Sequence, residues 1–189
     1  MAKYYVMECY GKPPIADIDP LERYPGGPWI SGRVKDVPSN EQFKYEINED
    51  YPGILKTLYL APSVPLMHKK LAEILSNVGV DNIQYFNAEI ADPETNEINR
   101  DYKAFNVVGL VSATDMEKST KMHDYNMSSF DNDFDKLVLD HDRIHDDLLL
   151  FRLAENINAI VVHEKIKELV EEADGLKDMR FLSDGEWAG

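Results

Sequence analysis

Two stretches of this chain, 55–90 and 159–182, carry the same order of signals: an apolar run, a short amphipathic helix, a glycine and another apolar run. Helices this short do not hold themselves together in water, and each must lay its apolar stripe on something else. Apolar runs of strand length on either side of each helix supply that surface. The pattern predicts an α+β fold: a mixed, largely antiparallel sheet with two main helices packed on it. The two stretches do not match closely enough in sequence to count as a repeat.

The first helix is expected to open at Pro65, where a missing N–H costs nothing. Leu66, Met67, Leu71, Ile74, Leu75 and Val78 recur at helical spacing, Lys69, Lys70 and Glu73 fall on the other side, and Gly79 stands at the C-terminal cap. The second helix is expected at 163–173, with Ile166, Leu169 and Val170 inward, Gly175 as its cap and His163 at its entry.

Strands are expected at 4–10, 44–47, 55–60, 83–90, 102–113, 137–139, 148–153, 159–162 and 179–182. Ile144, Leu148 and Phe151 also fit one helical face, so 148–153 is open to both readings. Turn chemistry at 92–96 predicts an antiparallel pair of 83–90 with 102–113, bulged near Asn106 and Gly109. Residues 11–40 are proline- and glycine-rich loop, which Trp29 and Ile30 are expected to pin to the core, and 114–136 is polar and irregular. No break in composition separates a second domain, so 1–189 is read as one.

The net charge of −15 repels nucleic acid and anionic membranes and draws in basic proteins. Cys9 is the single cysteine, so no internal disulfide forms, and burial as a small hydrophobe is its expected fate. With no signal-peptide pattern and no apolar run of membrane-spanning length, a cytoplasmic location is expected.

Few patterns suggest catalysis. His141-Asp142-Arg143-Ile144-His145 is like the His-Glu-x-x-His zinc signature, in which histidines four apart on a helix grip one metal. Here aspartate, one methylene shorter, stands in for the glutamate base, and no third ligand is evident. Asp131-x-Asp133-x-Asp135 begins like a calcium loop, but Lys136 occupies the position that needs glycine and Asp142 the position that needs a bidentate glutamate. No phosphate loop, Gly-x-Ser-x-Gly elbow or dinucleotide fingerprint is present. No cofactor is expected, and the chain is read as a binding protein rather than an enzyme.

The strongest charge feature is 131–147, with seven aspartates against Lys136 and Arg143. Such a run is either a wet connection or a surface that a basic protein recognises. Tyr125, Phe130, Asp131, Asp133, Phe134, Asp135, Asp140 and Asp142 are the candidate partner-binding residues. The three aromatics are candidate anchors at an interface, or else fasten the segment to the core.

Gly79-Val80-Asp81-Asn82-Ile83-Gln84-Tyr85-Phe86 is followed by Asp101-Tyr102-Lys103-Ala104-Phe105-Asn106-Val107-Val108-Gly109-Leu110-Val111-Ser112-Ala113 and Asp115-Met116-Glu117-Lys118-Ser119. Then come Phe151-Arg152-Leu153-Ala154-Glu155 and Ile160-Val161-Val162-His163-Glu164-Lys165. In this order they resemble immunity protein family 11 of bacterial polymorphic toxin systems. The resemblance covers about 60–182 and leaves 1–60 as a variable N-terminal part. It implies an inhibitor made beside a cognate toxin, with that toxin as partner, and it brings no catalytic residues with it. A metal-dependent hydrolase built on His141, Asp142 and His145, or a scaffold whose partner is no toxin, are the alternatives.

Overall fold

The computed structural model describes residues 3–24, 27–60, 63–122 and 132–189. In chain order the elements are β1 (Tyr4–Cys9), β2 (Ile18–Pro20), β3 (Gln42–Ile47), β4 (Leu58–Tyr59), β5 (Leu66–His68), α1 (Lys69–Val78), β6 (Ile83–Ala91), β7 (Ile98–Asn99), β8 (Tyr102–Val107) and β9 (Leu110–Val111). They continue with β10 (Thr120–Lys121), β11 (Phe134–Lys136), a 3-10 turn at His141–Arg143, β12 (Leu150–Leu153), β13 (Ile160–His163), α2 (Glu164–Glu172) and β14 (Met179–Leu182). The fold is α+β, as expected, but the strands form two main sheets rather than one. One sheet runs β14-β1-β13-β12-β9, the other runs β2-β3-β6-β8-β5-β4 with β7 beside β6, and β10-β11 is a separate hairpin. Among the named pairs, β3–β6 and β9–β12 are parallel and the others antiparallel.

Strand alternation distributes the apolar side chains to three cores. Met67, Phe105, Leu150, Val162 and Met7 face a central core that takes Leu71 and Leu75 from α1 and Ile166 and Val170 from α2. Tyr4, Val6, Phe151 and Val161 face the opposite side of their sheet, against Phe134, Leu137, Leu139 and Trp187. Phe43, Tyr45, Tyr59, Leu66, Tyr102 and Ala104 face the far side of the other sheet and enclose Trp29. Burial in that third core pushes the hydroxyls of Tyr45, Tyr59 and Tyr102 to higher pKa, and all three donate to main-chain carbonyls, of Val64, Ala16 and Lys56.

The recurrent strand–helix–strand order has a structural basis. The hairpin β4-β5, helix α1 and strands β6 and β8 form a first unit with sheet order β6-β8-β5-β4. The hairpin β12-β13, helix α2 and strands β14 and β1 form a second, with order β14-β1-β13-β12. His68 pairs across the sheet with Tyr102, and His163 with Tyr4. Each imidazole meets the tyrosine edge-on, at 5.4 and 5.3 Å between centroids. The imidazole Nδ1 accepts the N–H of Lys70 in one unit and Lys165 in the other, capping each helix. The first helical N–H donates to the carbonyl before that tyrosine, Lys69 to Asp101 and Glu164 to Lys3. Gly79 and Gly175 follow the helices at positive φ, 100° and 84°. The two units exchange contacts reciprocally. Chain leaving β8 turns at Gly109, φ 90°, and sends β9 to the edge of the second unit's β12. Chain leaving β1 passes Gly11 and pairs Ile15 in parallel with Ile54, just before the first unit's β4.

Several expectations change. Leu66–His68 is a strand, not the first turn of a helix: its backbone pairs with β4 and β8, and its alternate side chains, Leu66 and Met67, enter different cores. Residues 102–113 break at Gly109 and divide between the two sheets, which replaces the expected bulge. The 137–139 run makes only an isolated bridge, Thr114 to Leu139. Leu169 is 42% exposed because α2 turns its Ile166–Val170 line inward.

Candidate partner-binding surface

The acidic segment is held from beneath. Phe134, Leu137, Leu139 and Ile144 are buried in the second core, so the residues between them are driven outward. Asp133 and Asp135 flank buried Phe134 at strand spacing, and both are exposed. The chain ahead of β12 is fastened through its backbone. Asp140 N–H donates to Ala113, Leu137 N–H to Trp187, and Phe134 and Gly189 exchange a pair of hydrogen bonds. Leu139 N–H donates to the Asp184 carboxylate at 2.9 Å, and the Tyr4 hydroxyl donates to the His145 carbonyl. Asp142, Asp146 and Asp147 continue the exposed face.

Few cations answer these carboxylates. Arg143 pairs with Asp140 at 3.0 Å. Among the described residues no ion pair engages Asp133, Asp135, Asp142 or Asp146. The face is therefore negative, outward and mounted on a buried apolar base.

Of the candidate residues, Asp133, Asp135, Asp140 and Asp142 lie on this face. Tyr125, Phe130 and Asp131 lie outside the described residues. Phe134 is fully buried and fastens the segment to the core, so it presents no surface to a partner. This is a correction to its reading as an interface anchor.

The metal motifs take a different form from the one their spacing suggests. His141–Arg143 is a single 3-10 turn, and α-helical spacing does not extend to His145. His141 Nε2 lies 2.9 Å from Asp184, whereas His145 is open to solvent beside Asp147. The would-be calcium loop contains β11 and the Leu139 bridge, with no α-helix on its described flanks. Among the described residues no group of three or more histidine, cysteine, aspartate or glutamate side chains is arranged to hold a metal ion. Cys9 is half-buried and donates its thiol to Asp178 at 3.0 Å. Burial and that carboxylate push its pKa up to about 12, so at neutral pH it is a thiol and a poor nucleophile.

Sequence reasoning passed over a second feature. The Pro/Gly-rich loop and β3 bring Tyr24, Trp29, Asp36, Val37, Pro38, Glu41 and Phe43 around a pocket of about 290 Å³. Its signal in the sequence is the run of aromatics interleaved with acids in 22–43, of which the loop reading uses only Trp29, as a pin to the core. No helix among the described residues is long and apolar enough to cross a membrane. No protein-family model matches the chain, and no curated protein matches it.

Proposed function

We propose that this chain is a binding protein that neutralises a basic protein partner by stoichiometric inhibition, as an immunity protein does for a cognate toxin such as a nuclease. The observation that carries this reading is the carboxylate face of 132–147, which is exposed, largely without ion pairs and rigidly backed by buried Phe134, Leu137 and Leu139. An inhibitor needs a pre-shaped surface, because ordering a loose one on binding costs affinity. A negative field of this kind speeds encounter with a cationic partner. The resemblance in 60–182 supports a toxin as that partner, and the protonated Cys9 and divided histidines lend catalysis no support. A cytoplasmic site of action belongs to the same proposal.

The test is co-expression with the neighbouring gene in a susceptible host. Growth is expected to fail with that gene alone and to return with this protein. Rescue should be lost when Asp133 and Asp135 are both changed to Lys while the protein stays folded and soluble. Rescue that ignores the charge reversal would move the interface off this face. No rescue by soluble, folded wild-type protein would count against the immunity reading.

A further inference from the structure

The aromatic and acidic pocket at 24–43 has a chemistry of its own. Its floor is an aromatic cluster: Phe43 meets Trp29 edge-on at 5.2 Å, Tyr24 lies tilted against Phe43 at 4.2 Å, and Phe86 meets Trp29 edge-on at 5.3 Å. Its rim carries two carboxylates, Asp36 and Glu41, and neither has an ion pair among the described residues. The indole of Trp29 is 2% exposed, and its Nε1–H has no acceptor among the described residues. An orphaned buried donor is costly, and an occupant that brings a carbonyl within reach recovers that cost. One cation is already settled at these rings. The Lys35 ammonium lies 5.6 Å from the Trp29 centroid and donates to the Pro28 carbonyl. The negative field reaches inward as well: burial, then Glu22, Glu41 and Glu89, push the Tyr24 hydroxyl to higher pKa against the hydrogen bond from Lys44.

We propose that this pocket receives an arginine side chain of a basic protein partner. A planar guanidinium stacks on an aromatic ring and forks its donors to carboxylates, which a neutral or purely aliphatic side chain does not do. Because Lys35 holds the indole, the arriving guanidinium meets the Tyr24 ring and the Asp36 and Glu41 carboxylates, and its own peptide carbonyl supplies an acceptor. The net charge of −15 favours a cationic occupant over an anionic one. The pocket does not require the partner to be a toxin, and its test does not use toxicity.

The full chain, labelled with 5-fluorotryptophan, gives one fluorine resonance each for Trp29 and Trp187, assigned with Trp187→Phe. Titration with Nα-acetyl-arginine methylamide is expected to move the Trp29 resonance saturably and leave Trp187 in place. The citrulline analogue, with the same shape and no charge, is expected to bind about tenfold or more weakly, the loss of one charge-assisted contact. Asp36→Asn with Glu41→Gln is expected to abolish that preference, with unchanged circular dichroism showing that the fold survives. Equal binding of the two analogues, or no saturable shift with either, would overturn the proposal, whatever the outcome of the rescue assay.

Discussion

The two units reach one strand order, β6-β8-β5-β4 and β14-β1-β13-β12, from sequences that share few residues. What they share closes the backbone: a histidine on the last strand residue that caps the helix, a tyrosine opposite it, and a glycine at positive φ after the helix. Where they differ is instructive. Asn82 and Asp178 occupy matching places before β6 and β14, and each main-chain carbonyl accepts an N–H from the residue that follows the strand alongside, Val108 after β8 and Tyr10 after β1. The Asn82 amide donates to the Leu150 carbonyl of the other unit at 3.0 Å. The Asp178 carboxylate reverses the roles and accepts from Thr57 N–H and Oγ1 of its neighbour, at 2.7 and 2.5 Å. The crossing contact persists while its polarity and charge change. The geometry of the exchange therefore constrains these positions more tightly than residue identity does.

The largest effects should come from the shared centre. Leu71→Ala and Ile166→Ala remove matching, fully buried side chains, and each is expected to cost about 2–5 kcal/mol in denaturant titration. Both variants should keep a single transition, because α1 and α2 line one core. Two separate transitions would break the comparison and make the units independent.

Next comes the crossing contact. Asp178→Asn removes charge-assisted hydrogen bonds worth about 1.5–3 kcal/mol, whereas Asn82→Ala removes neutral ones worth about 1 kcal/mol. Burial alone would raise the Asp178 pKa, but hydrogen bonds from Thr57 and Cys9 outweigh it and hold the carboxyl below its ordinary value. Its contribution is then present above the ordinary carboxylate pKa and is lost as the pH falls through that value towards the lower folded one. The stability gap between wild type and Asp178→Asn should narrow on acidification. A gap that persists into acid would remove Asp178 from the account.

The smallest effects belong to the caps. His68→Ala and His163→Ala should each cost about 1 kcal/mol, and asparagine at either site should restore most of it. Unequal costs would sharpen the comparison by showing which helix relies more on its cap.

How much of this could be read from the chain follows from how local each signal is. Gly79 after an amphipathic stretch and the 92–96 turn between two strands act within a few residues, and the helix end and the β6–β8 pair appear where they were expected. Leu66 and Met67 continue the helical spacing of Leu71 and Leu75, so periodicity alone could not reveal that pairing with β8 makes them strand. His163 is expected at the entry of its helix, but histidine is not among the usual capping residues, and nothing in the spacing marks His68 as the other cap. The recurrent strand–helix–strand order is legible at 55–90 and 159–182, but the fourth strand of each unit is not, because β8 follows its helix in the chain whereas β1 precedes everything it pairs with. Of the candidate surface, the acidic run was evident from composition. The pocket depends on packing among Tyr24, Trp29 and Phe43, which no spacing rule anticipates.

That difference in chain order has a consequence in time. Everything in the first unit lies within residues 57–107, so on a ribosome it is complete soon after β8 emerges. β1 is made long before its neighbours β13 and β14, with every strand from β2 to β12 between them in the chain. At translation speeds of about 5–20 residues per second, Tyr4 waits roughly ten to thirty seconds for His163. During that interval an apolar strand with unsatisfied edges is exposed to the nascent-chain environment. Newly made protein should therefore depend on chaperones through β1, and a rearranged chain that places β1 after β14 should shed that dependence.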